Sequence, residues 1–255
     1  MTEQTQFPAE EVTLPSKGLL YPKTSPLSKG TIEMKYMTAR EEDILTNANY
    51  IKNGVAIDKL LQSLISDTSI DFDDLLIGDK NAIMIAARIL GYGAEYEVKI
   101  PHPDTGIDTE GTIDLSKVED KLLDENIITE GENEFDFTFP KSLVKITFKL
   151  LTNKDEKNIS NEAKGLKKLN KPSSEGTIML KHTIKSVNGD STPKTIREFI
   201  DTTLLAQDAR ALRKYVNEIS PGVNMQTEVE FKDGYIMSGV NLPINLNFFW
   251  PDASV

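Results

Sequence analysis

Cysteine is absent from this chain of 255 residues, which excludes disulfide bonds, thiolate nucleophiles and cysteine-ligated zinc. Histidine is nearly absent, and His102 and His182 lie far apart in the sequence. No apolar run approaches the roughly 20 residues that span a bilayer. The polar, acidic start of the chain lacks the basic and apolar regions of a signal peptide. We therefore expect synthesis in a cytoplasm, without Sec-type export and without membrane contact.

The motifs of several enzyme classes are also missing: G-x-S-x-G, the P-loop, G-x-G-x-x-G after a strand, and H-E-x-x-H. His102 and Asp104 have no second pair of metal ligands nearby. The carboxylate-rich stretch from Asp67 has Phe72 where a calcium loop needs glycine and Gly78 where it needs glutamate. We predict no catalytic residues, no metal and no cofactor. A carboxylate pair for glycan hydrolysis stays open, since the chain has 40 acidic residues.

The charge is negative overall and unevenly distributed along the chain. The formal net charge is −11, yet residues 67–136 hold 5 basic and 19 acidic side chains, whereas residues 137–255 hold 17 basic and 13 acidic ones. The acidic block repels phosphate, which disfavours nucleic-acid binding. It suits docking onto a basic protein surface, although a solvated face is the simpler interpretation.

A predicted polar helix over residues 153–171 places four lysines on one face. Lys164, Lys167, Lys168 and Lys171 fall at i, i+3, i+4 and i+7. This basic stripe suits an acidic partner, and a solvated helix face is again the simpler interpretation. Since no aromatic or arginine side chains are interleaved with the lysines, we predict no nucleic-acid binding here either.

Hydrophobic periodicity predicts an α+β fold, with helices packed on small antiparallel sheets and hairpins. A capping box at Thr38 and Glu41 predicts a helix that runs to Asn53, and Asp79 is predicted to cap the next helix, the most buried one. Thr192 starts a later helix, with proline in its first turn. Alternation predicts hairpin strands at 95–100 with 111–115, 135–139 with 144–151, and 227–231 with 239–246. Residues 177–187 mix both periods and receive no assignment.

The chain divides into three predicted parts. Residues 1–30 form an extended arm, since four prolines are spaced too closely for a helix. Residues 31–151 form an α+β half with the acidic middle, and residues 152–255 form a helical half that ends in a β-hairpin and an aromatic C-terminus. A helix–hairpin pattern occurs once in each half, as a repeated unit or by chance.

Both ends of the chain are rich in apolar side chains, although chain ends are usually polar. An apolar arm should lie on its own body or on a neighbouring subunit, and these alternatives stay open. Aromatic side chains anchor interfaces because they offer large contact area at little entropic cost. The predicted interface residues are Leu14, Pro15, Leu19, Leu20, Tyr21, Phe248, Phe249 and Trp250. The alternative for both ends is that they cover this chain's own core.

Four segments together resemble the baseplate hub protein family of T-even-type contractile-tailed phages. They are LPSKGLLYP (14–22), MTAREEDIL (37–45), LLIGDKNAIMIAARILGYGAEY (75–96) and FFWP (248–251). Their order and approximate spacing match that family, and the resemblance covers most of the chain. Relatives resemble zinc ribbons at cysteine pairs corresponding to 98–113 and 229–242. Since this chain has no cysteine, that metal site does not carry over.

The resemblance implies a non-enzymatic structural or assembly protein of the tail baseplate hub that acts through protein–protein contacts. Its partners would be other phage baseplate or tail proteins, without nucleic acid or membrane, and a homo-oligomer is compatible with this role. It would be found in the virion baseplate or, during assembly, in the infected host cytoplasm. A transient assembly chaperone absent from the virion is the alternative, and a carboxylate-pair glycan hydrolase is the less favoured one.

Overall fold

The computed structural model of the chain describes residues 8–169 and 174–249. Helices and small antiparallel sheets make up the described part, which confirms the predicted α+β fold. The strands are β1 (Ala9–Thr13), β2 (Thr31–Lys35), β3 (Glu95–Pro101), β4 (Asp108–Asp114), β5 (Phe135–Thr138), β6 (Lys145–Phe148), β7 (Ile184–Val187), β8 (Gln226–Phe231) and β9 (Ile236–Asn241). The helices are α1 (Ala39–Thr46), α2 (Ala48–Asn53), α3 (Ala56–Leu64), α4 (Ile77–Tyr92), α5 (Asn153–Lys168), α6 (Glu175–Thr183), α7 (Pro193–Glu198), α8 (Ala206–Ile219) and α9 (Leu246–Phe249). No helix in the described ranges is both long and apolar enough to cross a membrane.

The strands form three antiparallel sheets: β1–β2, β5–β6–β7 and β3–β4–β8–β9. The first two predicted hairpins are confirmed, because β3 pairs with β4 and β5 with β6. The third forms between β8 and β9, but its return strand lies at Ile236–Asn241 and not at the predicted 239–246. The strand ends before Pro243, which has no N–H to donate to a neighbouring strand. The hairpins of the repeated helix–hairpin pattern lie side by side, joined where Gly111 of β4 faces Phe231 of β8. A Cβ at Gly111 would lie 2.5 Å from Val229 Cγ1, so the close approach of these strands requires glycine.

Hydrogen bonds and a shared core connect the two predicted halves of the chain. Strand β4 of the first half pairs with β8 of the second, and β6 of the first pairs with β7 of the second. One cluster of buried apolar side chains extends through both halves. Helix α4 lies inside it, with Ile83 fully buried, as predicted for the most apolar helix. The division into three parts stays a prediction about how the chain is organised.

The segment after β2 differs from the single helix predicted to run to Asn53. The capping box is present, and the Thr38 backbone N–H donates to Glu41 Oε2 at 3.0 Å. Helix α1 nevertheless ends at Thr46, because Asn47 adopts an extended conformation and caps a second helix. Its Oδ1 accepts from the backbone N–H of Asn49 at 3.0 Å. Asparagine side chains compete with helix continuation in this way, so the predicted single helix is wrong.

The unassigned segment 177–187 contains a helix and a strand in direct succession. Helix α6 ends at Thr183 and β7 begins at Ile184 without an intervening loop. The two periods therefore overlap within any window that spans this junction, which explains why periodicity gave no assignment there.

Candidate interaction surfaces

The N-terminal arm is fixed to the start of α4 by a buried polar cluster centred on Asp79. The backbone N–H of Ser16 donates to Asp79 Oδ1 at 2.9 Å, and the Ser16 hydroxyl donates to Oδ2 at 2.6 Å. The Tyr21 hydroxyl also donates to Oδ2 at 2.6 Å and accepts from the Leu76 backbone N–H at 2.9 Å. Buried polar groups need such partners, and each group here has at least one.

Burial and hydrogen bonding act in opposite directions on the acidity of this cluster. Burial raises the pKa of Asp79, and the hydrogen bonds from Ser16 and Tyr21 lower it without cancelling that rise. The pKa of Tyr21 lies well above its usual value, because of burial and then because of the adjacent Asp79 charge. The hydrogen bonds from the arm therefore take the place of water around the buried carboxyl group of Asp79.

Asp79 does not cap α4, so the predicted capping role is wrong. The helix begins at Ile77 after Leu76, which places Asp79 within the first turn, where a negative charge also suits the helix dipole. Its side chain is fully buried and points towards the arm. One sequence signal was available for this role: Asp79 and Lys80 are adjacent charges at the start of the most apolar helix.

The predicted interface residues of the arm are covered by this chain's own body. Leu14, Pro15, Leu20 and Tyr21 are buried, and Leu19 is partly buried. The arm starts as strand β1 and folds back through turns, so that the Leu14 N–H donates to Gly30 O at 2.8 Å. The structure thus shows the alternative that the sequence left open. A contact of these side chains with a partner stays a prediction.

The C-terminal aromatic residues that the structure describes are also buried. Phe248 and Phe249 have no exposed surface, and their rings meet edge to face with centroids 5.0 Å apart. Phe248 meets Tyr96 of β3 in the same geometry at 5.0 Å, which is favourable for aromatic pairs. The Tyr96 hydroxyl donates to the carbonyl of Pro243 at 3.0 Å, just before α9. Trp250, predicted as part of this interface, lies outside the described residues.

Helix α4 is the place where the four segments of the sequence resemblance meet. The arm segment binds its first turn through Asp79, and α9 packs against its side. Segment 37–45 reaches its last turn, where the Tyr92 hydroxyl donates to Glu42 Oε1 at 2.8 Å. Segments far apart in the sequence thus form one structural unit around one helix.

Comparison with known protein families matches residues 13–250 to the family described as T4 bacteriophage base plate protein. The chain belongs to this family. The match spans the first three of these segments in full and the fourth as far as residue 250. It makes this chain a phage baseplate protein whose contacts are with other tail and baseplate proteins. Neither the curated proteins nor the solved structures contain a match.

A cleft of about 860 Å³ opens on this baseplate protein between α3, α4 and α5, and we call it the α5 cleft. Charged groups lie along its wall. The Lys80 ammonium group contacts Asn153 Oδ1 at 2.7 Å, Glu156 Oε2 at 2.8 Å and Asp58 Oδ1 at 3.0 Å. Lys80 is buried, and a buried ammonium group requires such compensation.

A second lysine on α5 extends this network. Lys157 contacts Asp58 Oδ2 at 3.1 Å and Asp73 Oδ1 at 2.5 Å. Partial burial pushes the pKa of Asp58 up, but the charges and hydrogen bonds of Lys80 and Lys157 prevail and lower it. The network therefore holds α3, α4 and α5 together, with two ammonium groups shared among three carboxylates.

The rest of the α5 cleft combines apolar lining with two lysines of α5 and Glu175 of α6. Its apolar lining consists of Val55, Ile57, Met84, Ile159, Ala163, Met225 and Ile244. Lys164 and Lys167 of the predicted basic stripe also line it and are exposed. Within residues 8–169 and 174–249, neither lysine has an acidic group within ion-pair distance. Lys171 of the stripe lies outside the described part of the chain.

His102, considered above as a metal ligand, lies in the loop between β3 and β4. Its ring is buried against Phe231, with centroids 4.7 Å apart, and against Tyr235 at 5.3 Å. Its Nδ1 accepts from the backbone N–H of Asp104 at 3.3 Å, so Asp104 contributes its backbone to this contact. Among the residues that the structure describes, no three His, Cys, Asp or Glu side chains are grouped closely enough to hold a metal ion.

Proposed function

We propose that this protein is a non-enzymatic structural or assembly protein of the baseplate hub that works through protein–protein contacts. The observation that carries the proposal is the family match over residues 13–250. The hub assignment has further support from the four segments that resemble hub proteins, because one of them contains α4 and the other three contact it. The residues that match the family pack together around α4. A protein built in this way is expected to present rigid surfaces to its neighbours, with little change of backbone on binding.

The positions of two carboxyl groups with raised pKa favour this proposal over a glycan hydrolase. Such an enzyme needs two carboxyl groups that face an open cleft, one of them with a raised pKa. Burial raises the pKa of both Asp79 and Asp120, and the charge of Asp120 adds to the shift of Asp79. Asp79, however, is fully buried, and its oxygens accept hydrogen bonds from the arm. A substrate has no access to it while the arm is in place.

The test uses a phage in which the gene for this chain is deleted and supplied in trans. We expect no infectious particles without the chain, and restoration by the wild-type copy. Quantitative mass spectrometry of purified virions then distinguishes a component from an assembly factor. A fixed copy number per virion supports a structural subunit, and absence from virions that depend on it for assembly supports a chaperone.

Two results would contradict the proposal. Infectious virions of normal composition that form without the chain would exclude a role in the baseplate. Release of soluble fragments from peptidoglycan by the purified protein, lost on substitution Asp120→Asn, would show that the chain is an enzyme.

A further inference from the structure

An exposed acidic ridge lies on the surface formed by residues 119–132. Its sequence, EDKLLDENIITEGE, holds six acidic side chains and one lysine. Leu122, near its start, is 98% exposed, so almost none of its side chain contacts the rest of the molecule. A single exposed leucine is common on proteins. Here the exposed leucine lies within a strongly acidic segment.

The ridge is held in place by backbone hydrogen bonds at both ends. The Lys121 N–H donates to Gly222 O at 2.7 Å, and the Asn224 N–H donates to Glu119 O at 2.8 Å. Further on, the Gly131 N–H donates to Leu19 O at 2.7 Å, which ties the ridge to the N-terminal arm. An exposed apolar side chain on an ordered backbone can be buried by a partner with little further loss of backbone entropy.

The α5 cleft has the complementary properties. Apolar side chains line it together with Asp58 and Glu156, which pair with Lys80, and with Glu175. Lys164 and Lys167 line it without an acidic group within ion-pair distance in the described ranges. The ridge is apolar at Leu122, with acidic residues before and after it in the sequence. Glu125 and Glu130 form exposed ion pairs with Lys17 and Lys23 of the arm. The carboxylates left outside ion pairs among the described residues are those of Glu119, Asp120, Asp124 and Glu132. The two surfaces share no residue, so one copy of the chain presents both at once.

We propose that the acidic ridge of one copy docks into the α5 cleft of a second copy. A second copy is the occupant that charge favours: among the described residues the ridge holds four carboxylates outside any ion pair and the cleft holds two such lysines. The part of the sequence that contains the ridge is also the most acidic. Because the two surfaces differ, the contact is heterologous, and each added copy leaves one ridge and one cleft free. Such contacts close into a ring or continue as a chain of subunits.

This proposal rests on the proposed function. It assigns one defined partner, a second copy of the chain, to a protein that acts through protein–protein contacts. Burial of Leu122 in an apolar cleft accounts for about tenfold to hundredfold in affinity. The pairing of ridge carboxylates with Lys164 and Lys167 adds orientation and makes the association sensitive to salt.

The test is sedimentation velocity on the full chain over about a hundredfold range of protein concentration at low salt. We expect concentration-dependent association that weakens when the ionic strength is raised. The ridge variant Leu122→Asp and the cleft variant Lys164→Glu/Lys167→Glu should each weaken association by more than about tenfold. The matched control, Lys194→Glu/Lys214→Glu, changes the net charge by the same amount on exposed residues of α7 and α8 and should associate like wild type.

Mixing the two variants gives the decisive result. The ridge variant retains a native cleft and the cleft variant retains a native ridge, so an equimolar mixture should form a 1:1 dimer and no larger species. A wild-type chain that stays monomeric, or variants that associate like wild type, would overturn the proposed self-contact. Failure of this contact is distinguishable from failure of the proposed function, because virion composition and phage growth are measured independently of it.

Discussion

The substitution Tyr21→Phe tests whether the polar cluster at Asp79 holds the N-terminal arm in place. It removes one hydroxyl group and keeps the ring that packs in the core. The hydroxyl group donates to Asp79 and accepts from the Leu76 N–H, so two hydrogen bonds are lost. Asp79 keeps its two bonds from Ser16, whereas the Leu76 amide loses the partner that the hydroxyl supplied.

The expected loss follows from these two bonds. A hydrogen bond to a charged group contributes about 1.5–3 kcal/mol, and an orphaned buried amide costs about 1–3 kcal/mol. Some relaxation is expected, so we predict a fall in the free energy of unfolding of about 2–4 kcal/mol. For a chain of this size that corresponds to a melting temperature lower by about 5–15 °C. Urea titration followed by circular dichroism measures the change directly.

The dependence of this loss on pH provides a second readout. The pKa of Asp79 is raised in the folded protein, so its contribution to stability is complete below its unfolded pKa and is lost as pH rises through the folded value. The hydrogen bond from Tyr21 lowers that pKa, which means that it stabilises the charged form. The loss caused by Tyr21→Phe should therefore be larger at a pH above the folded pKa of Asp79 than at a pH below its unfolded pKa.

The matched control is Tyr36→Phe, which removes an exposed hydroxyl group that donates to Glu10 Oε1 at 2.9 Å. It should leave the urea midpoint nearly unchanged, since exposed hydrogen bonds exchange readily with water. If Tyr21→Phe were as mild as this control, the reasoning about the arm would be refuted. A loss of equal size at both pH values would refute the role of the Asp79 charge.

Three further substitutions test other parts of the structure. Asp58→Asn should lower the free energy of unfolding at neutral pH and make it depend less on pH in acid. The pKa of Asp58 is lowered in the folded protein, so the stability that this carboxylate contributes is present above its unfolded pKa and is lost as pH falls through its folded pKa. Acid titration followed by fluorescence measures the pH dependence, and an unchanged slope would contradict the prediction. Gly78→Ala places a Cβ 1.8 Å from Pro221 O and should destabilise by about 3 kcal/mol or more, whereas Gly165→Ala in α5 meets no atom within 4 Å and should be neutral or stabilising in the same melting assay; equal effects would refute the steric argument. Trp250→Ala should impair phage assembly in the complementation assay and leave the melting temperature of the purified chain unchanged, and a large fall in that temperature would identify Trp250 as a core residue.

Local sequence signals predicted most elements because each signal acts within a few residues. The Thr38–Glu41 capping box, the proline in the first turn after Thr192, and the three alternating hairpins are each decided by nearby backbone and side-chain geometry. The errors at Asn47 and Asp79 have the same origin. At each position a polar side chain could accept hydrogen bonds from more than one group. Asn47 accepts from the backbone of α2 and Asp79 accepts from the arm, and hydrophobic periodicity carries no information about these partners.

The sequence by itself therefore determined the α+β class, the order of the elements and the absence of cysteine chemistry. Only the tertiary structure decided that the arm lies on its own body, that α4 gathers segments from both ends of the chain, and that the lysines of α5 line an apolar cleft. The physical reason is distance along the chain. A bond such as that between Tyr21 and Asp79 joins residues 58 positions apart, and its existence depends on how every element between them packs.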